Sequence, residues 1–237
     1  MRRCARWAQT SSSSGATSTR RAKRSSTCRP GASRDTCAQR TSRCSSLGVG
    51  TLALEIFEDL PDVDVILVPI GGGSGACGCS IVRSGIGSRA KIIGVQAERA
   101  DAFARSWRAF RHAQGDLGAS KGGITRVVGD KADTFAEGMA TRVTFDLTFG
   151  ILQRELDDIV TLTEEELAEG VRLALRATHN LAEGAGAAPL MAAMKLRDQL
   201  AGKKIVRVMS GGNIDAATLK RILGLGSSPV PARPPSA

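Results

Sequence analysis

Three glycine-rich turns carry the chemical signal of this chain. The first, Gly71-Gly72-Gly73-Ser74-Gly75, stands between an apolar run and a helical pattern. With few side chains in the way, successive backbone N–H groups there can close around an anion at a helix N-terminus, and phosphate suits such a cradle best. Gly73, Gly75 and Gly78 also fit a GxGxxG spacing, and Glu98 follows the next strand about where a ribose-binding acid would stand. The same letters serve a tight turn that needs glycine only for packing. The second turn is Glu183-Gly184-Ala185-Gly186-Ala187-Ala188-Pro189, and the third is Ser210-Gly211-Gly212-Asn213. Ligands of a parallel sheet bind beyond the carboxyl ends of its strands, so glycine turns that follow strands should share one crevice. An NAD-binding oxidoreductase reading explains the first turn and leaves the other two without a role.

Alternating helices and strands must position these turns. Helical apolar spacing (Leu52, Leu54, Ile56, Leu60) predicts a helix over Thr51–Leu60 that stops at Pro61. Val63–Ile70 is a nearly continuous apolar run, the pattern of a strand buried on both faces. A helix over Ala76–Ser84 and a strand over Lys91–Gln96 complete one βαβ unit with parallel strands. Arg108–Asp133 has little periodicity and reads as a long surface loop. Thr144–Leu156 reads as a helix and Ile159–Leu162 as a strand. Thr163 with Glu166 forms a capping box that opens a helix to His179. A further helix covers Ala185–Leu200, closed by Gly202; Ile205–Met209 is a strand, and Ala216–Leu223 a last helix. The fold class is therefore α/β, a parallel sheet layered between helices.

Charge is distributed unevenly along the 237 residues. The net +10 is confined to residues 1–47, which hold 11 Lys+Arg and one acid, Asp35, while residues 48–237 balance at zero. Nucleic-acid binding by the folded part is not expected, and no apolar run is long enough to cross a membrane. From Arg2 to Ser46 there is no Leu, Ile, Val, Phe, Tyr or Met, so this stretch cannot bury enough surface to offset its ordering entropy. It reads as disordered, as a transit-like or basic arm, or as a frame-shifted translation. In the last case TCN serine codons, read from the third base, turn Ser11–Ser14 into four apolar residues. Cys4, Cys28, Cys37 and Cys44 form no CxxC pair, which argues against zinc. Residues 224–237 form a Pro/Ser tail.

Taken in order, GVGTLALEI, VPIGGGSGACG, IIGVQAE, TFAEGMATR, NLAEGAGAAPL and VMSGGNID resemble the threonine/serine dehydratases (threonine ammonia-lyases), fold-type-II enzymes dependent on pyridoxal phosphate. The resemblance spans about residues 48–223 and corresponds to the C-terminal part of the catalytic region. It implies a tryptophan-synthase-beta-like fold, truncated to part of the larger domain, with pyridoxal 5'-phosphate as cofactor. It further implies a small amino-acid substrate, a cytoplasmic setting and a homo-oligomer in the intact family. Gly71, Gly72, Gly73 and Ser74, followed by Gly75, match the family's phosphate-gripping loop, with Ser74 in place of a glycine. Ser210 matches the serine that bonds the pyridine nitrogen, and Glu183 matches a glutamate near the ring.

Some positions depart from the family. Gln96 and Ala102 stand where related eukaryotic enzymes hold a divalent ion through a glutamate and an aspartate, so no metal is expected. His112 and His179 lie outside every family motif. None of the eight lysines (Lys23, Lys91, Lys121, Lys131, Lys195, Lys203, Lys204, Lys220) has the context of the family's Schiff-base lysine. The expected function is thus a partial threonine/serine ammonia-lyase, inactive alone, with a non-catalytic interaction fragment as the alternative.

Overall fold

The computed structural model describes residues 43–115 and 126–224. Residues 1–42 and 225–237, and the part of the expected loop over 116–125 that includes Lys121, lie outside the described residues. Helix α1 (Arg43–Asp59) begins five residues ahead of the boundary expected at Gly48. It leads to β1 (Val65–Pro69), where Val65, Ile66, Leu67 and Val68 are all at most 1% exposed. A strand covered on both faces needs such an uninterrupted apolar run, because neither side meets water.

After β1 come α2 (Ser74–Ile86) and β2 (Lys91–Ala97). Then follow α3 (Ala102–Gly115), α4 (Asp146–Glu155) and β3 (Asp158–Leu162). The chain continues through α5 (Glu164–Thr178), α6 (Gly184–Lys195) and α7 (Arg197–Leu200). It reaches β4 (Ile205–Arg207) and α8 (Ala216–Ile222). The strands are all parallel in the order β3-β2-β1-β4, with Val65 opposite both Lys91 and Ile205.

Alternate strand residues feed two cores. Ile66, Val68, Ile92 and Ile159 pack with Phe57 of α1, Cys77 of α2, Trp107 of α3 and Leu152 of α4. Val65, Leu67, Val95 and Leu162 pack on the other face with Leu167 of α5, Ala188 and Ala192 of α6, and Leu200. The expected α/β sheet with helices on both faces is therefore present.

Two expectations need correction. Residues 108–115 are not loop: α3 runs to Gly115, burying Phe103, Ala104 and Trp107. Its apolar stripe is interleaved with Arg105, Arg108 and Arg111, which hid the period. The single helix over Ala185–Leu200 is instead two, parted at Leu196 between α6 and α7. The Thr163 capping box has both of its bonds: Glu166 N–H to Thr163 Oγ1 at 3.2 Å, and Thr163 N–H to the Glu166 carboxylate at 2.8 Å. His179, with φ 57, ends α5 in the left-handed region.

Candidate functional site

The site lies where the strand order reverses direction. β1 leads across α2 to β2 on one side, while β4 joins β1 on the other, and the turns after β1 and β4 both leave from carboxyl ends. A crevice opens at such a switch point because the connections depart in opposite directions.

The turn after β1 is shaped by its glycines for different reasons. A Cβ on Gly71 would stand 2.0 Å from Gly138 O, so the turn containing Gly138 could not approach any larger residue. Gly73 caps α2 with φ 88, and its missing Cβ would face Thr148 and Leu152 of α4 at 3.1–3.2 Å. A Cβ on Gly75 would meet only Val68, at 3.7 Å, so packing does not demand glycine there. The Cys77 N–H reaches Gly73 O at 2.9 Å. The N–H groups of Ser74, Gly75 and Ala76 in the first turn then have no intrahelical acceptor, and that turn carries no acid. Gly78, the last glycine of the GxGxxG spacing, packs on α1, where its Cβ would lie 2.8 Å from Gly50 N. In a dinucleotide fold the corresponding glycine lets helix meet strand.

The other two turns close on the first. Glu183 caps α6 from an extended backbone and donates its N–H to Gly211 O at 3.1 Å. Its carboxylate lies against two glycines: Oε1 would be 2.7 Å from a Cβ on Gly211 and 3.4 Å from one on Gly138. A Cβ on Gly186 would meet Gly211 O at 2.2 Å. Gly71, Gly138, Glu183 and Gly211 thus form a continuous line of close approaches, and Ser210 stands exposed beside it, three residues past the end of β4. The fold brings together the sequence-predicted Gly71–Gly75, Glu183 and Ser210. Gly138, within TFAEG, joins this line through packing that its sequence context alone does not reveal.

A cleft of about 680 Å³ adjoins Glu183, lined also by Phe135, Glu137, Glu164 and Asn213, but it excludes the turn after β1. Gln96 is fully buried, and its side-chain oxygen accepts the Ala104 N–H at 2.9 Å, capping α3. Cys77 and Cys79 are buried too. Burial pushes the Cys77 thiol up to about 12, with Cys79 adding to it, and burial pushes Cys79 to about 11, so neither is a nucleophile near neutral pH. His112 is exposed on α3. Lys91, Lys203 and Lys204 lie at the amino ends of strands, opposite the crevice. Lys195 binds Glu166 at the far end of α6, and Lys131 and Lys220 are exposed.

Residues 38–211 match the model of the pyridoxal-phosphate dependent enzymes. The chain belongs to that family. It is 38% identical over 179 residues to an L-threonine ammonia-lyase of Thermotoga maritima, covering 76% of this chain and 41% of that protein. A catabolic L-threonine dehydratase of Escherichia coli is 34% identical over 75% of this chain and 50% of its own length. The chain therefore spans about half the length, or less, of these relatives. Among solved structures, the processed form of threonine deaminase isoform 2 from Solanum lycopersicum superposes with TM-score 0.65 and 27% identity. That match covers 76% of this chain and 47% of the other. Maize serine racemase gives TM-score 0.64 and 26% identity over 78% of this chain and 54% of its own. As a member of this family the chain is of the pyridoxal-phosphate-dependent, fold-type-II kind, and the NAD-binding reading falls.

The residues present fit the phosphate of that cofactor. The turn after β1 offers first-turn N–H groups without an opposing acid, and its Gly75 is glycine for no packing reason. No helix among the described residues is long and apolar enough to cross a membrane.

Proposed function

We propose that this chain is part of the large catalytic domain of a threonine or serine ammonia-lyase, which in whole form converts a hydroxy-amino acid to a 2-oxo acid and ammonia. The observation that carries this reading is the convergence of Gly71–Gly75, Glu183 and Ser210 beyond the carboxyl ends of the adjacent strands β1 and β4. The names of the Thermotoga maritima and Escherichia coli relatives support the reaction class.

In this reading the N–H groups at the start of α2 bind the cofactor phosphate, and the Ser74 hydroxyl adds a donor. Bound pyridoxal phosphate supplies an electron sink for loss of the α-proton and then of the β-hydroxyl. Ser210 bonds the ring nitrogen. A hydroxyl cannot hold that nitrogen protonated as a carboxylate would, which restrains the sink and favours elimination over amino-group transfer. Glu183, held between Gly138 and Gly211, sets a negative charge at the edge of the site. The substrate is a small hydroxy-amino acid, and the intact enzyme works in the cytoplasm as a homo-oligomer.

The chain by itself does not complete the reaction. A Schiff-base lysine must be desolvated beside the cofactor to lose its proton near neutral pH, and solvated lysines stay charged, with pKa about 10.4. The described lysines are exposed or paired with acids at the far ends of their elements. The test mixes purified chain with pyridoxal phosphate, reduces with borohydride, and measures 2-oxo acid formed from threonine and from serine. Saturable cofactor binding without a trapped adduct or turnover is the expected result. A single stoichiometric adduct with turnover would refute the inactive-fragment reading, and stabilisation by NAD in place of pyridoxal phosphate would refute the site.

A further inference from the structure

Thr148 stands on α4, 3% exposed, and its hydroxyl donates to Gly72 O at 2.7 Å. Phe145 O lies farther from the same hydroxyl, at 3.3 Å, and one proton serves the shorter bond. No peptide among the described residues is cis. In a trans peptide the C=O and N–H of one unit point in opposite directions. The hydroxyl that fixes Gly72 O against α4 therefore turns the Gly73 N–H away from α4. Thr141 does the same one unit earlier, donating to Gly71 O at 3.4 Å and so setting the direction of the Gly72 N–H. Such control matters because the Gly72–Gly73 unit has glycine on both sides. Glycine populates both signs of φ about equally, so an untethered unit could flip and present a carbonyl oxygen where an anion should sit.

We propose that Thr148 is a positioning residue for the phosphate loop: through its bond to Gly72 O it aims the Gly73 N–H at the cofactor phosphate. This rests on the cofactor reading above. Two further contacts lock the threonine in place. The Cys77 thiol of α2 donates to Thr148 O at 3.6 Å, and the absent side chain of Gly73 leaves 3.1 Å from its Cβ position to Thr148 Cβ. The loop, the start of α2 and α4 are thus one packed unit, with the hydroxyl as its polar link.

The test uses the full chain with inorganic phosphate and pyridoxal phosphate as probes. Thr148→Val keeps the shape and removes the hydroxyl, Thr148→Ala removes both, and Thr148→Ser keeps the hydroxyl. Affinity for both probes is expected to fall about tenfold in Thr148→Val and Thr148→Ala and to stay within about twofold of wild type in Thr148→Ser. Rescue by serine separates the hydroxyl's role from packing, because serine also lacks the methyl group. A measurement on the unaltered, nitrogen-15-labelled chain needs no variant to fold: saturating phosphate should move the Gly73 amide resonance. A still Gly73 amide at saturation, or wild-type affinity in a folded Thr148→Val or Thr148→Ala, overturns the inference and leaves the cofactor reading standing. Wild-type chain that binds neither probe overturns the cofactor reading, and this inference with it.

Discussion

Gly73 and Gly75 stand two residues apart in one motif, yet replacing each by alanine should have opposite effects on stability. Gly73 holds φ 88, where a Cβ costs roughly 1–2 kcal/mol. The new methyl would also press on Thr148 Cβ at 3.1 Å and Leu152 Cδ1 at 3.2 Å, tighter than ordinary contact, which adds up to about 1 kcal/mol in a packed core. Gly73→Ala is therefore expected to destabilise the chain by about 2 kcal/mol. Gly75 lies in the first turn of α2, and its Cβ would find ordinary contact with Val68 at 3.7 Å. Its replacement relieves glycine's entropy cost in a helix, a change near neutral or stabilising by up to about 0.5–1 kcal/mol. Urea unfolding followed by circular dichroism reads both variants, and inorganic phosphate titration reads the ligand. Gly73→Ala should also weaken phosphate binding, because a φ that relaxes to negative values swings the following N–H groups. Equal stability of the two variants would refute this account of the turn. A valine at position 73 would press harder still on Thr148 and Leu152 of α4, so Gly73→Val should cost more stability than Gly73→Ala.

The cap on α5 should be worth about 1 kcal/mol: Thr163→Ala lowers the urea midpoint, and Thr163→Ser restores most of it. Glu155 is held below its ordinary value of 4.5 by the Ser84 hydroxyl bond, against opposing desolvation and with help from Arg83. A depressed carboxyl contributes stability that is full above about 4.5 and lost as pH falls through the lower folded value. Ser84→Ala should therefore narrow the gap between unfolding midpoints at pH 7 and pH 3, and an unchanged gap would refute the assignment. Cys77 and Cys79 should resist iodoacetamide at pH 8 in the folded chain and react in urea, as mass spectrometry can follow. Ser210→Ala should lose about 1 kcal/mol of affinity for pyridoxal phosphate and little for inorganic phosphate, which lacks a ring; equal losses for both would remove Ser210 from the ring nitrogen.

Most of the elements, and the chemical character of the turns, are legible in the residues alone. The β1 run is apolar at every position because both faces are covered, and that pattern is visible without a fold. Thr163 and Glu166 likewise announce their helix, since a capping box is a local exchange of hydrogen bonds. The turn after β1 could be read as an anion cradle because glycines between strand and helix carry that meaning locally. Where the signal was local but diluted, as in α3 with arginines interleaved among Phe103, Trp107 and Phe110, the period was missed. Which turns meet is a matter of strand adjacency, and that emerges only in the folded chain. The adjacency of β1 and β4, strands separated by about 140 residues of sequence, brings Ser210 beside the line from Gly71 through Gly138 to Glu183. Strand order is set by long-range pairing and helix packing, and no local pattern encodes it. The same holds for the reason behind each glycine. Gly71 yields space to Gly138, Gly78 to Gly50 and Gly73 to Thr148, while Gly75 yields space to nothing in the chain. A missing side chain leaves no mark in the sequence of what it makes room for; only the packed neighbours tell.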